Sequence, residues 1–153
     1  MSVALTSPVT GTAQVGLTSP TYTVVVDQAP TLNGKQYAVT ALGGTQTGVD
    51  VSSVQRPFTW SVFRPANFKQ VRRDSNGRVT GVPKNTHKLI TRKGVTVTAS
   101  GDLSTFNIYT VLDVPAGAEQ YDAINLRAAL SLHAGALQQV ASGLGDTVVS
   151  GVM

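Results

Sequence analysis

The spacing of apolar residues changes once along this chain, at Pro115. Before that point, apolar and polar side chains alternate in short runs, the two-residue period of β-strands. After it, Ala123, Leu126, Leu130, Leu137 and Val140 recur at steps of three, four, seven and three, the period of a helix. Strands first and helices last make an α+β protein with its helices segregated at the C-terminus. At 153 residues the chain is one domain, 1–153, long enough to bury a core.

The strand half divides at its turns. Residues 12–17 alternate weakly. Tyr22 to Val26 is aromatic and β-branched, which favours a strand. Asn33-Gly34 is a hairpin turn signal, and Lys35 to Leu42 resumes a strand, giving an N-terminal hairpin. Gly43, Gly44 and Gly48 suggest a loose loop, with 43–55 the nearest thing to a linker. Phe58, Trp60 and Val62 alternate with Thr59, Ser61 and Phe63. Residues 66–85 form a polar stretch around the turn Asp74-Ser75-Asn76-Gly77, a long hairpin tip or a loop. Thr86 to Ala99 and Leu103 to Val114 read as two long strands joined through Ser100-Gly101-Asp102. The expected antiparallel sheet has about six strands. The helical part is expected as two helices, the first from Ala118 to a break at Gly135, the second from Ala136 to about Leu144.

Such a sheet has an apolar face to cover. Phe58, Trp60, Val62, Phe106, Ile108 and Leu112 require burial, yet six strands span roughly 25 Å and one helix is about 10 Å wide. A partner subunit's helices would complete the cover. This makes Leu126, Leu130 and Leu137 candidate dimer-interface residues and the protein an expected homodimer.

The opposite face is polar. On the strand from Thr86, the even positions include Lys88 and Arg92. If the odd positions are core, these two cations join Thr59, Ser61, Asn107 and Tyr109 on the open side. Cations neutralise phosphates, short polar groups read base edges and backbone, and a tyrosine stacks an unpaired base. Charge along the chain agrees. Ten of the twelve Lys and Arg residues fall between Arg56 and Lys93, against the single acid Asp74, so that window carries +9 while the remainder carries −5. A basic block in an otherwise acidic chain points to a polyanionic partner.

Several functions are not supported. Without cysteine there is no disulfide, thiolate catalysis or cysteine metal site. His87 and His133 have no metal-ligand spacing, the glycine pairs lack a phosphate-loop context, and no carboxylate pair suggests acid–base chemistry. The expectation is therefore no enzyme, no cofactor and no small-molecule substrate. The N-terminus lacks the basic start and apolar run of a signal peptide, and no stretch approaches the roughly 20 apolar residues of a membrane span. No membrane association is expected, and synthesis and retention in a cytoplasm are.

The order of elements resembles the coat proteins of the single-stranded RNA bacteriophages, the leviviruses. The resemblance is carried by Phe58-Thr59-Trp60-Ser61-Val62, by Lys88-Leu89-Ile90-Thr91-Arg92, and by the passage from Thr105-Phe106-Asn107 through Pro115 into Leu126-Arg127-Ala128-Ala129-Leu130. It implies interlocked dimers whose helices cross onto the partner's sheet. It further implies an icosahedral virion shell built in the bacterial host cytoplasm, with the sheet facing inward onto single-stranded genomic RNA. Binding of an RNA hairpin at the replicase start, and hence translational repression, is also implied. Thr59 and Ser61 match the family's Thr-x-Ser pair, Lys88 and Arg92 its paired basic positions, and Asn107 its asparagine before the helices. Tyr109 shares the face without matching the family's aromatic position. The chain departs from the pattern in its long 66–85 insertion, its short turn at 100–102 and Phe63 at a position expected to be basic. An alternative reading is a dimeric RNA-binding regulator that builds no shell; the two differ in whether association stops at the dimer.

Overall fold

A computed structural model describes residues 3–153. Among them, one antiparallel sheet contains β1 (Val9–Thr10), β2 (Thr18–Asp27), β3 (Gly34–Thr45), β4 (Phe58–Phe63), β7 (Lys84–Thr96) and β8 (Leu103–Pro115). Their order in space is β1-β2-β3-β4-β7-β8. β5 (Arg72–Arg73) and β6 (Val79–Gly81) form a separate ribbon between β4 and β7. Each strand of the sheet pairs with the next one along the chain, so the fold is a meander with one excursion. The expected fold class and six-stranded sheet are present.

Several segments differ from expectation. β3 continues through Gly43 and Gly44 to Thr45. The β2–β3 register shifts twice, between Thr18 and Thr21 opposite Gly43 and Gly44, and between Thr23 and Val24, where Thr40 is the extra residue. Residues 12–17 contribute only the isolated bridge Gln14–Leu17, while the edge strand lies earlier, at Val9–Thr10. The supposed linker is tied down. Ser52 N–H donates to Val39 O at 2.9 Å, Phe58 N–H to Ser52 Oγ at 3.2 Å, and Arg56 pairs with Asp50 at 2.5 Å.

The aromatic core lies where these segments meet. Tyr37 and Val39 are buried. Tyr37 packs on Trp60 with ring centroids 6.1 Å apart, and Tyr22 meets Phe58 edge-on at 5.5 Å.

The helix break falls elsewhere than expected. α1 (Ala118–Tyr121) ends at Asp122, and α2 (Ala123–Ser150) then runs unbroken through Gly135, Gly143 and Gly145. Asp122 leaves helical geometry at φ −144° and ψ 43°, and its carboxylate accepts a hydrogen bond from Asn125 Nδ2 at 2.7 Å. Glycine in a helix interior costs about 1 kcal/mol, a weak penalty that leaves helical angles accessible. Gly145 also has a positive use. A Cβ there would collide with the side chain of Gln14, whose Nε2 donates to Ala141 O at 2.9 Å.

α2 has 28 residues, about 42 Å of helix, and none of them is buried. Leu130 and Leu137 remain 48% and 42% exposed, and Val140, Leu144 and Val148 are exposed with them; Leu126 is half-buried. α1 packs against β8, but α2 makes no extended contact with its own sheet. Among the described residues nothing buries this apolar stripe.

Candidate nucleic-acid interface

Antiparallel partners directly opposite one another share a face of the sheet. The pairings Thr59–Arg92 and Arg92–Asn107 put one residue from each of β4, β7 and β8 on the same side. Ser61–Ile90 and Ile90–Tyr109 form the next row, and Phe63–Lys88 and Lys88–Val111 a third. All six residues expected from the sequence, Thr59, Ser61, Lys88, Arg92, Asn107 and Tyr109, therefore lie on one face. Phe58, Trp60, Val62, Leu89, Phe106 and Ile108 occupy the other. No bulge interrupts β4, β7 or β8, so alternation along each strand holds over its whole length.

Access to solvent separates these six. Lys88 is exposed, Tyr109 is 60% exposed, and Arg92 and Asn107 are half-buried. Thr59 retains 8% and Ser61 none of its surface. Ser61 is covered by its own neighbours. Its Oγ–H donates to Gln36 Oε1 at 2.9 Å, and Arg92 Nη1 reaches Ser61 Oγ at 3.5 Å. Ser61 thus supports groups that face outward, while Lys88, Arg92, Asn107 and Tyr109 keep part or all of their side chains open to solvent.

Sequence reading missed three residues of this face. β7 starts two residues earlier than expected, so Lys84 joins Lys88 and Arg92 in a row spaced by about 13 Å, four residues of strand. Gln36 lies opposite Ser61, and Asp27 opposite Gln36. The parity of β7 was sufficient to find Lys84. Nothing local points to Gln36 or Asp27, because the strands that carry them are aligned to β4 only by the fold.

The basic block divides into parts with different roles. Among the described residues the only ion pair is Arg56–Asp50, on the loop before β4. Lys93 lies on the aromatic face, its Nζ 4.6 Å from the centre of the Phe58 ring and donating to Asp50 O at 2.6 Å. Burial lowers its pKa, and Arg56 adds to that effect while Asp50 opposes it. Lys69, Arg72, Arg73 and Arg78 sit on the 66–83 excursion, whose turn is closed by Asp74 Oδ1 accepting from Asn76 N–H at 3.0 Å and Arg78 N–H at 2.8 Å. Lys84, Lys88 and Arg92 are left on the polar face without an acidic partner within salt-bridge distance.

At the outer side of β8 lies a groove of about 1160 Å³. Residues from both faces of that strand line it, Phe106 and Ile108 together with Asn107 and Tyr109, so it opens along the strand's free edge. Its far wall is the C-terminal half of α2, with Leu137, Leu144 and Val148.

An open polar face carrying free cations, an unpaired strand edge and a helix with an uncovered apolar stripe define a subunit shaped for assembly with other chains. The chain is similar to a solved structure, the virus-like particle of bacteriophage ESE020. Identity is 47%, over 99% of this chain and 100% of that one, with a TM-score of 0.94. Neither a protein-family profile nor a curated protein matches it. At this identity over the full length, the chain belongs to the family of bacteriophage coat proteins that this particle represents. Its role is accordingly structural rather than enzymatic.

Proposed function

We propose that this protein is the capsid subunit of a single-stranded RNA bacteriophage of the levivirus type. It assembles as dimers into a closed icosahedral shell in the bacterial cytoplasm, becomes part of the virion and packages RNA against the polar sheet face. The observation that carries the RNA reading is the common register of β4, β7 and β8. It gathers Lys88 and Arg92 beside Asn107 and Tyr109, with Lys84 farther along β7 on the same face and no carboxylate paired to these cations among the described residues. The same face takes an RNA hairpin and thereby represses replicase translation, as the family resemblance implies.

The dimer reading is supported by two unfilled surfaces. β8 has thirteen residues and no partner on its outer side, and Phe106, Ile108, Tyr109 and Val111 are exposed along it. A long free edge is a template for pairing with a second chain, and twofold symmetry makes that pairing self-complementary. α2 offers an apolar stripe that is separated from β8 of its own sheet by the open groove and left unburied. Laid across a partner, this helix covers the aromatic face that one chain leaves partly open.

Electron microscopy of the purified full-length protein, with nuclease-protected RNA measured in the same sample, tests the proposal. Uniform closed particles containing protected RNA are expected. Particles that form without RNA would overturn the packaging role, and RNA-binding dimers that never close would identify the regulator instead.

A further inference from the structure

Four adjacent strands each place one polar side chain in a line across the proposed RNA face. From β3, Gln36 Nε2 donates to Asp27 Oδ2 of β2 at 2.6 Å. That bond fixes the orientation of the amide, so Gln36 Oε1 faces β4 and accepts from Ser61 Oγ–H at 2.9 Å. With its proton committed to Gln36, the Ser61 oxygen turns a lone pair toward β7, where Arg92 Nη1 approaches to 3.5 Å. Every donor in the line points the same way, from guanidinium to hydroxyl to amide to carboxylate. A chain of this polarity strengthens each of its members.

The positions explain why the line forms. Asp27, Gln36 and Ser61 are direct cross-strand neighbours. Arg92 is not, since its opposite residue on β4 is Thr59, and it leans diagonally to reach Ser61. Ser61, whose oxygen it reaches, has no exposed surface. The link at 3.5 Å is the longest of the three, so the guanidinium is guided rather than locked. Four of its five N–H donors remain for an incoming group, enough for a bidentate phosphate contact.

We propose that Asp27, Gln36 and Ser61 are positioning residues for RNA binding, which orient the Arg92 guanidinium toward an RNA phosphate. This rests on the RNA reading of the sheet face and adds residues to it. Gln36 and Ser61 are the two inner members: each bonds in both directions, and neither has a charge of its own to offer a polyanion.

A double-mutant cycle tests the assignment, with a fluorescein-labelled 20-nucleotide single-stranded RNA as probe and the full-length protein. Arg92→Ala is expected to weaken binding about tenfold and to lower the salt slope by about one. Gln36→Leu is expected to weaken binding about fivefold when Arg92 is present and to cause no further loss in the Arg92→Ala background. It leaves the salt slope at the parent value, since no cation is removed. Ser61→Ala is the second, smaller change and follows the same pattern, with Ser61→Thr restoring affinity. Equal losses from Gln36→Leu or Ser61→Ala in both backgrounds, or no loss in either, would overturn the relay. If Arg92→Ala binds like the parent, the RNA reading of the face fails and the relay fails with it.

Discussion

The side-chain amide of Asn85 closes on the backbone of Lys69 with two hydrogen bonds. Lys69 N–H donates to Asn85 Oδ1 at 2.8 Å, and Asn85 Nδ2 donates to Lys69 O at 3.0 Å. Asn85 is buried, with 4% of its surface exposed. The pair reproduces the hydrogen bonding of a strand ladder although Lys69 lies outside any strand. It fixes the base of the 66–83 excursion to the start of β7. Phe68 beside His87, with ring centroids 6.1 Å apart, adds a second contact nearby.

Asn85→Ala would leave the backbone groups of Lys69 without these partners at a cost of about 1–3 kcal/mol. The excursion should then open while the sheet persists. Limited trypsin digestion reads this directly, because Arg72, Arg73 and Arg78 all lie beyond the clamp. Faster cleavage there, with the rest of the chain still protected, is the expected result; an unchanged cleavage rate would show that the clamp is dispensable.

Gly94 is required by a close approach. A Cβ at this position would stand 2.5 Å from Arg56 Cα, and Gly94 N–H donates to Pro57 O at 2.7 Å. Gly94→Ala forces the 50–57 loop away from β7, and overpacking of this kind costs about 1–3 kcal/mol. A lower midpoint in chemical denaturation, with an unchanged slope, is expected.

Lys88 is exposed on the polar face and carries no structural bond among the described residues. Lys88→Ala should therefore reduce affinity for RNA of any sequence and lower the salt slope by about one, with no change in stability. Lys93→Ala is the contrasting variant. Its ammonium is committed to Phe58 and Asp50 O on the other face, so its loss should lower stability and leave the RNA salt slope intact.

Leu130 and Leu137 hold the exposed stripe of α2. Placing Asp at both positions puts two carboxylates where an apolar partner surface is expected, and a buried unpaired charge is strongly unfavourable. Size-exclusion chromatography with light scattering should find no particles and a smaller species that keeps its strand signal in circular dichroism. Particles of parent size from this variant would reject α2 as an assembly surface.

The turn between β7 and β8 is closed by Asp102. Its Oδ2 accepts from Thr98 Oγ1 at 2.6 Å and from Ser100 Oγ at 2.8 Å. These bonds, Thr98 first, hold its carboxyl below the ordinary carboxylate pKa. The folded-state value is thus the lower one. The contribution to stability is complete above the unfolded value of about 4 and disappears as pH falls through the folded value. Following the Asp102 carboxyl carbon by NMR, Thr98→Val should move its midpoint upward. A midpoint that stays in place would mean Ser100 alone sustains the shift.

The sequence by itself determined the alternation of β4, β7 and β8, the change to helix after Pro115 and the concentration of positive charge between Arg56 and Lys93. These are local properties, set by each residue and its near neighbours. Because those three strands pair without a bulge, parity within each strand, with the odd positions of β7 taken as core, put Lys88, Arg92, Asn107 and Tyr109 on one face. Local spacing could not locate the break at Asp122, since glycine weakens a helix without ending it. Tertiary structure alone decided which cations remain free. Pairing with distant strands carried Lys93 onto Phe58, drew Arg92 toward Ser61 and brought Gln36 into line beside it. Those neighbours are tens of residues apart in sequence, and only the register of the sheet makes them adjacent.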